Sequence, residues 1–435
     1  MKHHYIIKLR TEANRRVPEN VPNWRHFIND KSVTLTNFIP VIDGIFNQNH
    51  IAFWLTAEYT KSGPNWSEAE IDNGLNRTYR LILQGENKLP ESGLLQIQHL
   101  PEVEQARELQ VVETEIPQYQ VPLSVSASEP TKTIAETIRL AYAHQHTKGI
   151  PDIKIAVLDT GASLAHPEIK DKIKHRADWV DLNGLDTGSF IGDVTEYDEI
   201  PEDEVGHGSH VSGIIGAKGI QMEGGIAPNC SLMIVRVLAT MKDGGRNVGA
   251  GIVDNINNGI KWAVDHGADV INMSLGIKHT GGGLPHEDVI KYAIQKNVAI
   301  VAASGNDGTN EKYYPGALKH VIAVGATDFA GEVTPFTSFG APITVVAPGL
   351  RLYSSYVNQT YAYASGTSQA SPIVAGSVAL MKSYARENGK SINTEFIHQC
   401  LAFTSDKPDT KFRTTRAGFG LLNLTDAFKF LKNHI

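Results

Sequence analysis

Four polar residues stand at the ends of apolar runs, and together they hold the groups that acyl transfer requires. Asp159 closes the run IAVLD and is followed by a Thr-Gly turn. A carboxylate set directly behind a buried strand is costly unless it has a partner. His207 lies in GHGSHVSG, where small residues let the backbone pack closely around an imidazole. Ser368 lies in SGTSQASPIVAG, just before a run with helical periodicity. Its side chain therefore falls at a helix N-terminus, where free N–H groups and the helix dipole favour negative charge. Pro372 sits early in the same helix, where a missing N–H does less harm. Asn306, in VAASGNDG, follows another buried run. A serine nucleophile, a histidine base, an aspartate that orients the base and an amide aimed at the oxyanion make one reaction centre.

Each residue also has a plainer explanation. Asp-Thr-Gly is good turn chemistry, and an asparagine near two glycines suits a left-handed turn. A lone serine ahead of a helix is usually an N-cap. His207 and His210 are spaced like a metal pair, but such a pair needs further ligands and no HExxH pattern is present. The plain explanations do not account for the joint occurrence. The four residues follow one another as Asp, His, Asn, Ser, each at the edge of a strand or helix, and Asp–His–Ser is one of the chain orders in which this triad recurs.

Such a centre needs a rigid frame. From about Asp152 onward, apolar runs alternate with helical patterns. IKIAVL (153–158) reads as a buried strand. Ile252, Ile256, Ile260 and Val264 share a helical face ahead of the strand ADVINMSL. Val289, Ile290, Ala293 and Ile294 do the same ahead of VAIVAAS, and HVIAVGA and ITVVAPG are further strands. The alternation predicts an α/β fold, a doubly wound, mostly parallel sheet with helices on its faces. Ligands of such sheets bind outside the carboxyl ends of the strands, where these four residues lie. Residues 1–116 read instead as a small α+β domain, with strands in HYIIKLR, IAFWLTA and TYRLILQ, a helix near Asn65, and PEVEQARELQVVETEIP at its close. Residues 117–134 have linker composition, and residues 135–435 form the main domain. TIAETIRLAYAHQHTKG (133–149) reads as one helix leading into it.

Composition narrows the class of function. The chain has 435 residues, 41% apolar and 20% charged, and a net charge of −7. A basic patch for nucleic acid is not expected from that balance. The two cysteines, Cys230 and Cys400, do not make a disulfide framework, although a single bridge stays open. MKHHYIIKLRTEANRR lacks the apolar run of a signal peptide, and no stretch of about 18 apolar residues suits a membrane helix. Cytoplasmic residence is the default expectation, with export by another route as the alternative.

The chain resembles the subtilisin family of serine peptidases from about residue 135 to 430. The segments that carry the resemblance are IAVLDTG, GHGSHVSG, NMSLG (272–276), AASGNDG and SGTSQASP, with GFGLLNLTDA as a closing segment. The resemblance implies a seven-stranded parallel sheet with a triad of Asp159, His207 and Ser368 across its carboxyl edge. It implies a serine endopeptidase working through an acyl-enzyme, with Asn306 in the oxyanion hole. Ser274, Leu275 and Gly276 match the strand that pairs with an extended polypeptide substrate. No cofactor is needed for the chemistry. A structural calcium is left open: Glu168 matches a frequent ligand position, yet the loop AKGIQMEGG (217–225) offers one carboxylate where calcium wants six to eight oxygens.

The departures from the family pattern concern specificity and control. Gln369 follows the nucleophile and Ser209 replaces a usual threonine. Tyr313 falls near the floor of the family's pocket for the residue before the scissile bond, where its ring would shorten the pocket, and Asp307 at the rim would favour a basic side chain. The acidic insert before His207 (Asp186, Asp193, Glu196, Asp198, Glu199, Glu202, Asp203 and Glu204) reads as a solvated loop, with attraction of basic substrates or cations as the alternative. YIIKLR and LPEVEQARELQVVE resemble the family's propeptide, which makes residues 1–116 a candidate intramolecular inhibitor and folding aid, or else a permanent docking domain. A peptide cyclase or ligase would use the same acyl-enzyme. An inactive binding module is disfavoured because all four catalytic positions are filled.

Overall fold

The computed structural model describes residues 3–109, 111–114, 132–181, 190–191, 199–243, 246–279, 283–340, 342–407 and 409–435. Of the linker expected at 117–134, residues 117–131 lie outside the described residues, as do the acids Asp186, Asp193, Glu196 and Asp198. No helix among the described residues is long and apolar enough to cross a membrane.

The N-terminal part is a four-stranded antiparallel sheet. Its strands are β1 (His4–Leu9), β2 (Phe53–Ala57), β3 (Thr78–Leu83) and β4 (Val103–Glu108), in the order β2-β3-β1-β4. Side chains alternate between the two faces of a strand. Tyr5, Ile7 and Leu9 point with Leu81, Leu83 and Val103 into a core covered by helices α1 (Pro40–Gln48) and α2 (Glu91–Gln98). Neither of these helices was expected from the sequence. The helix near Asn65 is present but short, Glu68–Asp72, started by a Ser67–Glu70 capping box. After β4 comes the short strand β5 (Val111–Thr114).

The larger part is built on seven strands: β6 (Lys154–Asp159), β7 (Ile173–Asp178), β9 (Ser231–Arg236), β12 (Val270–Met273), β14 (Ala299–Ala303), β16 (Ile322–Thr327) and β17 (Ile343–Pro348). They form one sheet in the order β17-β16-β14-β12-β6-β9-β7, and every neighbouring pair is parallel. One face packs on α3 (His207–Gly216), α6 (Thr367–Glu387), α7 (Thr394–Thr404) and α8 (Leu424–His434); the other packs on α4 (Val253–Asp265) and α5 (Glu287–Gln295). Coverage on both faces explains why these strands are continuous apolar runs. Further strands lie outside this sheet: β8 (Phe190–Ile191), β10 (Ala239–Asp243), β11 (Arg246–Ile252), β13 (Ile277–Lys278), β15 (Tyr313–Tyr314), β18 (Leu352–Ser355) and β19 (Tyr361–Ala364).

The single helix expected over 133–149 is two, Ile134–Thr137 and Leu140–His144, broken at Arg139, which has φ +57°. The Ile138 carbonyl is taken by the Leu424 N–H, so the chain turns there to follow α8. Both cysteines are buried and free.

The outer face of the N-terminal sheet docks on α4 and α5 through charged groups. Arg80 makes a two-pronged ion pair with Glu58 (2.7 and 2.8 Å), and both reach α4, Arg80 to Asn255 and Glu58 from Asn258. Arg107 donates to Asp254 at 2.8 Å, Lys8 to Asp288 at 2.8 Å, and Lys261 to Glu70 at 2.7 Å. Asp254 is 1% exposed. Burial raises its pKa, but the Arg107 charge and hydrogen bond, together with the Arg80 charge, hold the carboxyl below its ordinary range. Arg107→Ala leaves that carboxylate without its cation, and removing one partner of a buried pair costs about 3–5 kcal/mol. The full-length variant is expected to show a clearly lowered thermal midpoint, and replacing both residues by leucine is expected to regain most of it.

Candidate functional site

The site is assembled from the carboxyl ends of β6, β12 and β14 and the first turns of α3 and α6. Asp159 is the last residue of β6 and is fully buried. Its Oδ1 accepts from the Thr160 N–H (2.8 Å) and from His207 Nδ1 (2.6 Å). A carboxylate only accepts, so the imidazole proton sits on Nδ1 and Nε2 carries a lone pair. His207 is buried, and its Nε2 has no hydrogen-bond partner. Burial lowers the His207 pKa, but the Asp159 charge and hydrogen bond outweigh it and raise the pKa above the ordinary histidine value.

Asp203 places His207 where it can meet Asp159. Its carboxylate accepts from Thr160 Oγ1 (2.9 Å), from the N–H groups of Val205, Gly206 and Ser209, and from Ser209 Oγ (2.7 Å). This fan satisfies amides at the start of α3 and ties them to the residue after Asp159. Gly208 makes the approach possible, because a Cβ there would lie 2.0 Å from the Gly161 carbonyl oxygen. The acidic run is thus not solvated throughout: Asp203 is buried and structural, while Glu202 and Glu204 are exposed. His210 is not half of a metal pair. Its ring is fully buried, and Nε2 lies 3.1 Å from the carbonyls of Leu352 and Ala362. Burial drives its pKa down to about 3, so the ring stays neutral. Among the described residues, no three His, Cys, Asp or Glu side chains form a cluster suited to a metal.

Ser368 is the second residue of α6, a helix that packs on α3. Its hydroxyl donates to the Ser274 carbonyl at 3.1 Å rather than to His207. Pro372, four residues on, lacks the N–H that would bond the Ser368 carbonyl. Ser274 Oγ takes its place at 2.8 Å. Asn272 donates to Ser274 Oγ (3.0 Å) and accepts from Ser371 Oγ (2.7 Å), which locks the first turns of α6 to the end of β12. Of the residues matched to the substrate strand, Ser274 therefore also anchors the nucleophile's turn, and the Leu275 side chain belongs to the core. Asn306 is oriented by Thr367, whose N–H (2.8 Å) and hydroxyl (2.9 Å) both donate to Oδ1. With Oδ1 so engaged, the Nδ2 amide is left as the group's donor. The Ser368 N–H lies in the first turn of α6, where helix amides have no intrahelical partner.

Asp203, Thr160, Asn272 and Thr367 were missed as site residues. Asp203 carried a signal, an acid four residues before His207 at the start of a helix, but it was read as part of a solvated run. Asp307 is no free anion at the rim. It accepts from the Tyr313 hydroxyl and pairs with Lys278 Nζ at 3.1 Å.

The loop at 217–225 does not fit a cation at Glu168. Glu168 is fully buried and accepts from the N–H groups of Gly219 (2.8 Å), Ile220 (2.9 Å) and Gln221 (2.8 Å), and from the Tyr361 hydroxyl (3.1 Å). Burial raises its pKa, but these donors outweigh burial and hold the carboxyl below its ordinary range. Three N–H groups point to where a ligand sphere would need oxygens.

Comparison with known proteins identifies the family. A thermophilic serine proteinase of Bacillus sp. (strain AK1) is 38% identical over 269 residues, 61% of this chain but only 59% of that relative's length. The major intracellular serine protease of Bacillus subtilis (strain 168) is 38% identical over 285 residues, 63% of this chain and 82% of its own. The solved structure of the prenylagaramide maturation protease PagA superposes with a TM-score of 0.56 at 28% identity, covering 68% of this chain and 99% of that one. The subtilase family model matches residues 151–420, well over half of the sequence. The chain belongs to the subtilase family.

Proposed function

We propose that this chain is a serine endopeptidase that cleaves polypeptides through an acyl-enzyme on Ser368. The observation that carries the reading is the buried Asp159–His207 bond, which turns Nε2 into an acceptor on α3, the helix that packs against α6. Ser368 Oγ rotates from the Ser274 carbonyl to Nε2, transfers its proton there and bonds to the scissile carbonyl carbon. Catalytic hydrogen bonds of this kind often form only with substrate present. The oxyanion takes hydrogen bonds from Asn306 Nδ2 and the Ser368 N–H. The intermediate collapses by breaking the C–N bond, and His207 gives its proton to the leaving amine. Water then repeats the sequence on the ester. Asp159 stays ionised and stabilises the imidazolium. No metal is assigned to the loop held by Glu168. An amine in place of water would join peptides instead, and product mass separates the two outcomes.

We also propose that the N-terminal domain inhibits the same site within the chain. β5 adds antiparallel to the edge of β11, with Val112 opposite Gly251 and Thr114 opposite Gly249, and it runs alongside β13. An extended segment thereby runs beside the residues that directly follow Ser274–Gly276, the stretch matched to the strand that pairs with substrate.

Three tests follow. A fluorophosphonate is expected to modify Ser368, located by peptide mapping, and the modification is expected to vanish in His207→Ala; labelling elsewhere would sink the reading. The acid limb of kcat/KM should reflect the raised His207 pKa. Protonation removes the base, so activity is expected to fall as pH drops through a midpoint above about 6.5, the ordinary histidine value. A flat profile down to pH 4 would exclude His207 as the base. Finally, wild type is expected to be clipped between residues 115 and 150 while Ser368→Ala stays full length. If both remain intact, the N-terminal domain is not a self-removed inhibitor.

A further inference from the structure

The ends of β12 and β14 form the two walls of a slot beside the nucleophile. The strands are adjacent and parallel, so Ser274–Gly276 and Gly305–Asn306 leave the sheet side by side. The slot's inner end is closed by α6, through Ser368 on Ser274 and Thr367 on Asn306. A peptide with its carbonyl carbon at Ser368 Oγ and its oxygen at Asn306 must drop the side chain of that residue between these walls. Both walls carry glycine, at 276 and 305, as a slot open to a side chain requires.

One ring already stands there. A Cβ added at Gly276 would lie 3.0 Å from Tyr313 Cβ and 3.4 Å from Cδ1. A Cβ added at Gly305 would lie 2.5 Å from Tyr313 Cδ2 and 2.7 Å from Cε2. The two edges of the same ring thus face the two walls. The ring is held from three directions. β15 pairs with β13, which sets Tyr313 opposite Lys278. The Lys278 ammonium lies 5.6 Å from the ring centroid. The hydroxyl donates to Asp307, which Lys278 also pairs, and Lys278 reaches Glu311 at 2.5 Å. The ring also lines a small cavity, together with Ser304, Gly316, Ala323, Ser338 and Phe339.

We infer that Tyr313 plugs the slot for the residue on the acyl side of the scissile bond, so that the substrates of this chain carry glycine, alanine or serine there. The inference rests on the endopeptidase reading above. Large apolar side chains meet the ring, and basic ones meet an Asp307 already paired with Lys278. Removing the ring joins the slot to the cavity that the ring lines and gives it the depth for an aromatic side chain.

The test profiles cleavage of a peptide library by the protein expressed as its full chain and left to complete its self-clipping, and by Tyr313→Gly and Tyr313→Phe variants prepared in the same way, with active sites counted by fluorophosphonate. Wild type and Tyr313→Phe are expected to cut after small residues. Tyr313→Gly is expected to raise kcat/KM for phenylalanine relative to alanine by about 100-fold, the scale on which a filled pocket rejects added groups. Cleavage by wild type after phenylalanine, leucine or lysine as readily as after alanine would overturn the inference. So would an unchanged preference in a Tyr313→Gly variant whose sites titrate fully. If Tyr313→Gly fails to fold, the wild-type and Tyr313→Phe profiles still decide. If wild type does not react at Ser368 at all, the endopeptidase reading itself fails, and the reagent distinguishes that outcome from failure of the plug alone.

Discussion

A carboxylate with no access to water dominates this molecule. Asp159 ends the β6 strand of a seven-stranded sheet covered on both faces, and a charge in that position needs a partner held against it. Much of the local architecture answers that requirement. Asp203 gathers the amides before and within the first turn of α3, Gly208 lets that turn close on the backbone after β6, and His207 arrives at 2.6 Å. The pairing then fixes the imidazole tautomer, so a structural need and a chemical one are met by the same bond.

A second lock works on the nucleophile's side. Pro372 withholds one helical hydrogen bond from the Ser368 carbonyl, and Ser274 supplies another from the neighbouring strand. The first turn of α6 is therefore referenced to β12 as well as to its own helix. Thr367 does the same for Asn306, just beyond β14. Three adjacent parts of the sheet edge thus share one coordinate frame, which is how groups distant in sequence are held to the tolerance that acyl transfer demands.

The sheet and the reacting groups were legible because their signals are local. IAVLD, ADVINMSL and VAIVAAS are buried on both sides and so read as plain apolar runs, with the polar site residues at or just beyond their ends. Two strands of the sheet were not read. β7 is an edge strand, rich in charge, and gave no such signal. β9 did carry an apolar run, LMIV, but it is short and ends in Arg236, whose charge is paired with Asp178 at 2.8 Å. Asp203 was misread because its burial is made by residues 160 and 205–209 converging from two segments. In the N-terminal part β1, β2 and β3 were legible as strands, whereas β4 (VEQARE) is polar and the two covering helices are short, so neither stood out. Tyr313 could be placed near the cleft from the sequence, but its seat between Gly276 and Gly305 depends on the β13–β15 pairing and on Lys278.

The loop on Glu168 carries a consequence of a different order. A loop pinned by a bound ion is only as secure as the ion's concentration allows, since its stabilisation grows with the logarithm of free ligand over its dissociation constant. Here the pin is a side chain of the same polypeptide, accepting from three successive amides. Its effective concentration is set by covalent connectivity and does not change with the surrounding medium. This fastening therefore does not loosen with dilution of the medium, and it gives way to acid, as Glu168 protonates.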